Sequence, residues 1–117
     1  MTIRQGGLFW LDLGEPGGSG PGFRHPYVVV QSDPFNISKI RTVVVCELTS
    51  NLQRAEAPGN VLLRKCEGNL ERASVVNVSQ IYAVDKTDLV EKIGELSQDR
   101  IAEISAGLKL LLEPRSV

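Results

Sequence analysis

Histidine occurs once, at His25, and cysteine twice, at Cys46 and Cys66. No CxxC pair is present. One histidine cannot build a multi-histidine metal site, so no metal and no cofactor is expected. No apolar run approaches the ~20 residues that a membrane helix needs. The first residues, Met1-Thr2-Ile3-Arg4-Gln5-Gly6-Gly7, lack a basic stretch feeding a long apolar core, so no signal peptide is read. The expected place is the cytoplasm, with both thiols reduced and Cys46 buried in a strand. No sign of charge dominates: 13 basic residues face 14 acidic ones, a net of −1. That excludes a disordered polyelectrolyte and a globally basic nucleic-acid binder. A P-loop, a GxSxG elbow, an HExxH and a dinucleotide fingerprint are all missing, and no carboxylate pair stands out.

What remains is a chain of 117 residues, 42% of them hydrophobic. That suits one domain, residues 1–117, with its own core. The first half reads as β. Gly7 to Leu13 is an apolar, aromatic run opened by glycine, and Tyr27-Val28-Val29-Val30-Gln31 is β-branched with Pro26 at its start, where a missing N–H is tolerated. Thr42 to Thr49 is the strongest strand signal. Its nearly continuous apolar side chains predict cover on both faces, with Val44, Cys46 and Leu48 on one and Val45, Glu47 and Thr49 on the other. Asn60 to Leu63, Ser74 to Val78 and Gln80 to Val84 read as short strands, the last two either separate or one bent strand. Glu91 to Leu96 reads as a last edge strand.

Between the first two strands runs Gly14-Glu15-Pro16-Gly17-Gly18-Ser19-Gly20-Pro21-Gly22. Glycine and proline punctuate nearly every step, so the segment is expected to be a mobile loop, either a connector or a flap over a site. Only the end reads as a helix. Ser97 is a natural N-cap, Asp99 suits the first turn, and Pro114 stops the run. Ile101, Ile104, Leu108, Leu111 and Leu112 fall on one stripe, which predicts packing against the sheet. Many short strands and one terminal helix point to a small barrel of the SH3-like or OB-like kind.

Charge is uneven along the chain. Residues 16–65 hold six basic and three acidic side chains, a local +3, which leaves −4 to the rest. Charge alone fits a phosphate-contacting face and a solvated mixed surface equally well. The compact chemical candidate is Arg24-His25 after the glycine loop together with Thr49-Ser50 at the end of the central strand. Arginine holds phosphate bidentately, histidine moves protons near neutral pH, and a hydroxyl bonds a phosphate oxygen.

These stretches, in this order, resemble the MazF/PemK family of toxins, the endoribonucleases of type II toxin–antitoxin systems. The resemblance runs from Gly6 to about Leu112. It is carried by Gly7-Leu8-Phe9-Trp10-Leu11-Asp12-Leu13, the glycine loop leading into His25-Pro26-Tyr27-Val28-Val29-Val30-Gln31-Ser32-Asp33, Asn36, the strand from Thr42 into Leu48-Thr49-Ser50, Ser74-Val75-Val76, Gln80-Ile81, Val84-Asp85-Lys86 and Ile93-Gly94-Glu95-Leu96-Ser97. It implies an SH3-like β-barrel with a C-terminal helix, a homodimer, and metal-independent cleavage of single-stranded RNA at short motifs. The implied products are a 2′,3′-cyclic phosphate and a 5′-hydroxyl end. It further implies a cognate antitoxin whose disordered acidic tail orders on the toxin.

The family's central pair is an arginine directly before the strand-opening proline and a threonine ending the central strand. The threonine corresponds to Thr49. Before Pro26 stands His25, and the arginine, Arg24, comes one place earlier. Adjacent side chains on a regular strand point to opposite faces, so a bulge that re-aims Arg24, or acid–base work by His25 itself, are the two ways to an active site. The resemblance makes Arg24, His25 and Thr49 the catalytic candidates and Gly22, Gln31, Asn36 and Ser50 the substrate-binding ones. Two other functions remain: a gyrase-poisoning toxin of the CcdB kind on the same barrel, or a binding relative with weakened catalysis. The end of the chain, Glu113-Pro114-Arg115-Ser116-Val117, lacks the aromatic tip that the CcdB resemblance implies.

Overall fold

The computed structural model describes residues 2–13 and 24–116. The glycine loop from Gly14 to Gly22, and with it Gly22 as a substrate-binding candidate, lies outside the described residues. Among the described residues, six strands and two helices follow one another: β1 (Gly7–Leu11), β2 (His25–Val29), α1 (Asp33–Asn36), β3 (Thr42–Thr49), β4 (Val61–Leu63), β5 (Ser74–Asp85), β6 (Lys92–Glu95) and α2 (Gln98–Leu111). Short 3-10 turns fill Leu52–Glu56, Glu67–Asn69 and Lys86–Asp88. No helix among the described residues is long and apolar enough to cross a membrane.

All the pairings are antiparallel, and the sheet order is β4-β5-β3-β2-β1-β6. A flat sheet of this width would hold its edges roughly 24 Å apart, at about 4.8 Å per strand. The chain leaving one edge nevertheless reaches the other within a few residues. Leu63 ends β4, and Gly68 in the next turn packs against Gly94 of β6. Asn69 Nδ2 donates to the carbonyl of Ile93 at 3.2 Å. Five residues span at most about 18 Å, so the sheet must curl into a half-barrel.

Both faces of the sheet are covered, as the apolar β3 sequence predicts. Leu8, Val28, Cys46, Leu48, Leu63 and Val76 share one core with Leu96 and Ile104 of the helical end. Phe9, Leu11, Tyr27, Val29, Val43, Val45 and Val84 form a second core on the other side. Alternation along β3 sends Val43 and Val45 one way and Cys46 and Leu48 the other, which is the period-2 rule read directly. The two β segments expected after residue 74 are one strand, bent in the middle. Cys46 pairs with Ile81 but Leu48 pairs with Val76, so β5 carries extra residues at the bend. Asn60 fills the gap: its Oδ1 accepts from Val78 N at 3.0 Å and its Nδ2 donates to Arg54 O at 2.9 Å.

Ser97 caps α2, its hydroxyl accepting from Arg100 N at 3.3 Å. The apolar stripe of α2 is shorter than its sequence suggests. Ile104 is buried and Ile101 and Leu108 are half-buried, but Leu111 and Leu112 are 45% and 68% exposed. The physical reason is where the helix touches the sheet. The close approach is made through Gly107, which is buried against Gly59 in the turn leading into β4; a Cβ there would lie 2.1 Å from the Gly59 carbonyl oxygen. Past that crossing the half-buried stripe ends at Leu108, and Leu111 and Leu112 face solvent.

Candidate active site

One end of the half-barrel opens into a cleft of about 310 Å³. Its walls include Trp10 from β1, Arg24, His25 and Pro26 from the start of β2, Leu48, Thr49 and Ser50 from the end of β3, and Arg72 and Ser74 from the start of β5. The register explains the convergence. Trp10 pairs with Pro26, Leu11 with His25, and Thr49 with Val75, so two strand ends and two strand starts meet at the same rim. Sequence separation hides this: Trp10 and Arg72 are 62 positions apart.

Arg24 and His25 both line the cleft but point their charge differently. The guanidinium of Arg24 lies over the Trp10 ring, 4.8 Å from its centroid, and pairs with the Glu91 carboxylate. Trp10 is opposite Pro26, two residues from Arg24, which places indole and guanidinium on one side of the β1–β2 ribbon. The His25 ring turns toward β3. Its Nδ1 is 4.0 Å from Glu47 Oε1, beyond hydrogen-bond range, and Glu47 pairs in register with Tyr27. Glu47 is half-buried.

Thr49 Oγ1 accepts from Asn51 N at 3.2 Å, and Asn51 Oδ1 in turn accepts from Gln53 N, capping the Leu52–Glu56 turn. The Thr49 side chain is thereby fixed, while its hydroxyl hydrogen stays available to a ligand oxygen. Ser50 follows it, exposed on the cleft rim.

Gln31 and Asn36 stand elsewhere. Six positions of extended chain from His25 to Gln31 amount to roughly 20 Å. Asn36 is buried; its Nδ2 donates to Gln31 O at 2.8 Å and to Asp33 Oδ1 at 3.1 Å, and its Oδ1 accepts from Gln31 Nε2 at 3.0 Å. Their polar atoms thus serve the α1 turn, and neither residue lines the cleft. Among the described residues, no three of histidine, cysteine, aspartate and glutamate gather where they could hold a metal ion. Cys46 is buried and Cys66 exposed, both as free thiols.

Trp10, Glu47, Arg72 and Glu91 are site residues that sequence reading missed. Each comes from a segment that reads locally as strand or turn, and only the pairing register brings them to the rim.

A curled antiparallel sheet and a packed terminal helix define a small half-barrel protein, with a cleft at one end that brings guanidinium, imidazole and hydroxyl groups together. Residues 4–112 match the family model described as PemK-like, MazF-like toxin of type II toxin-antitoxin system, and the chain belongs to that family. It is 42% identical over 113 residues to "Endoribonuclease MazF2" of Mycobacterium bovis, covering 97% of this chain and 99% of that one. The same figures hold for "Endoribonuclease MazF6" of Mycobacterium tuberculosis. Among solved structures it is similar in fold to an endoribonuclease in complex with its cognate antitoxin from a mycobacterial species. The TM-score there is 0.77, the identity 22%, and 97% of this chain and 99% of that chain are covered.

Proposed function

We propose that this MazF-type toxin is an endoribonuclease that cuts single-stranded RNA at the Arg24–His25–Thr49 cleft and so arrests translation and growth. The reaction needs no metal, because the nucleophile is supplied by the substrate itself. The ribose 2′-hydroxyl attacks the adjacent phosphorus and the bond to the 5′-oxygen breaks. The products are a 2′,3′-cyclic phosphate and a 5′-hydroxyl end.

The roles follow from side-chain chemistry. Arg24 neutralises charge on the phosphoryl oxygens as the five-coordinate state forms. The Thr49 and Ser50 hydroxyls donate to a non-bridging oxygen. His25 accepts the proton of the 2′-hydroxyl, and solvent protonates the departing 5′-oxygen. The single observation that carries this reading is the meeting of a guanidinium, an imidazole and a fixed hydroxyl in one cleft of about 310 Å³.

The partners belong to the same proposal. The toxin acts as a homodimer in the cytoplasm, and its antitoxin lays a disordered acidic tail over the basic rim, ordering as it binds. Support comes from the local +3 of residues 16–65, which supply two of the four cleft-lining segments. Purified toxin is incubated with a long unstructured RNA in EDTA and the 5′ ends are mapped. Discrete 5′-hydroxyl ends are expected. If Arg24→Ala, His25→Ala and Thr49→Ala all cut like the parent, this cleft is not the active site. Sedimentation checks the dimer, and a stable monomer at micromolar concentration speaks against it.

A further inference from the structure

We propose that Arg72 is a substrate-positioning residue, a clamp for a backbone phosphate next to the one that is cut. This rests on the reading of the cleft as an RNA site.

Two guanidiniums line the cleft, Arg24 and Arg72. They differ in what already holds them. Arg24 is paired with Glu91 and rests on Trp10. Arg72 is exposed; Glu71 also lines the cleft, but neither it nor any other carboxylate among the described residues forms an ion pair with Arg72. A cation left unpaired in a concave site is open to an anionic ligand, and a planar guanidinium takes phosphate bidentately.

Its backbone is set in place. The Ser74 hydroxyl donates to Arg72 O at 3.1 Å, and Ser74 is itself buried at the start of β5. Val75, the next residue, is the partner of Thr49. The sheet order β5-β3-β2 therefore puts Arg72 on one flank of Thr49 and Arg24 on the other. Adjacent strands are about 4.8 Å apart, so the two arginines rise from backbones roughly 10 Å apart with the hydroxyl between them. A nucleic-acid strand laid across the end of β3 presents successive phosphates to both. Arg24 serves the phosphate that reacts over Thr49, and Arg72 holds its neighbour.

The test separates this clamp from the reading beneath it. The probe is a fluorescent all-2′-O-methyl RNA oligonucleotide, which lacks the attacking hydroxyl and so reports binding alone. Its affinity is measured by anisotropy across a salt series for the parent, Arg72→Gln and Arg72→Lys. Releasing one phosphate contact lowers the slope of log K against log salt by about 0.7 for single strands. Arg72→Gln should show that loss with roughly tenfold weaker binding at low salt, and Arg72→Lys should recover most of the slope. On cleavable RNA, Arg72→Gln should raise KM far more than it lowers kcat. Thermal unfolding of the variant should match the parent, since the side chain is exposed and unpaired. An Arg72→Gln protein with the parental slope, affinity and KM overturns the clamp while leaving the cleavage reading intact. A parent that binds no RNA at all overturns both.

Discussion

The guanidinium of Arg24 sits 4.8 Å from the centroid of the Trp10 ring, so the proposed catalytic cation is seated on a neighbouring strand before any substrate arrives. A cation over an indole at an exposed site is stabilised by about 0.5–1 kcal/mol. Trp10→Ala should therefore slow cleavage about two- to fivefold, and Trp10→Phe should keep most of the rate. Arg24→Ala should cost much more, about 10²–10³ in kcat, as loss of a group that stabilises charge in the transition state does. Single-turnover rates on one RNA rank the three variants. Equal losses for Trp10→Ala and Arg24→Ala would mean that the ring acts on the substrate and not on the arginine.

His25 and Arg24 occupy adjacent positions yet turn to different neighbours, Glu47 and Trp10. Their substitutions should thus fail in different ways. His25→Ala should change the shape of the pH–rate profile, because the group that moves the proton is gone. Arg24→Ala should lower the whole profile without changing its shape. A His25→Ala enzyme with the parental profile would transfer the proton task elsewhere.

Much of the barrel is legible in the sequence because strand periodicity is a local signal. Val43, Val45, Cys46 and Leu48 announce a strand covered on both faces, and the structure covers both. Ser97 announces the start of α2 through its capping chemistry alone. Long-range pairing is not legible in this way. Nothing near Glu91 marks it as the partner of Arg24, 67 positions away. Nothing near Arg72 marks it as a neighbour of Thr49; that follows only from the Thr49–Val75 register. The leucines at the end of α2 misled for the converse reason. Helical spacing says which face they share, but not that Leu111 and Leu112 stay exposed.

The two thiols should react in sequence. Cys46 is fully buried, and burial pushes its thiol up to about 12, whereas Cys66 is exposed. Only the thiolate is nucleophilic. One equivalent of an aromatic disulfide reagent should react promptly with the native protein and the second only after denaturation. Two prompt equivalents would place Cys46 at an accessible surface.

Acid stability should depend on the pair Glu67–Arg100. Hydrogen bonds from the Arg100 guanidinium, at 2.6 and 3.1 Å, hold the Glu67 carboxyl below its ordinary 4.5, and the Arg64 N–H adds to the effect. A carboxyl lowered in the folded state stabilises the fold above its unfolded value, and that stability is lost as the pH falls through the folded value. Glu67→Gln should cost about 1 kcal/mol at pH 7 and less at pH 3, below the carboxyl's ordinary 4.5. Urea unfolding at the two pH values measures the difference. The Asp33 and Glu95 carboxyls, also held low, remain in the variant and should leave it some acid sensitivity.

A tight joint of α2 is the approach of Gly107 to Gly59, in the turn before β4. A Cβ on Gly107 would lie 2.1 Å from the Gly59 carbonyl oxygen, a distance at which backbone must move. Gly107 has ordinary helical geometry, so alanine there raises helix propensity by up to about 1 kcal/mol. The clash runs the other way. Displacing α2 disturbs Ile104, which is buried in the core shared with Leu48 and Val76, and overpacking of this kind costs about 1–3 kcal/mol. The larger effect decides the sign, so Gly107→Ala should be destabilised despite its better helix former. The exposed Ala106→Gly, one position earlier, should lose only the propensity. Unfolding midpoints of the two variants at equal protein concentration make the comparison. A Gly107→Ala protein more stable than the parent would show that helix and sheet are not in contact at this joint.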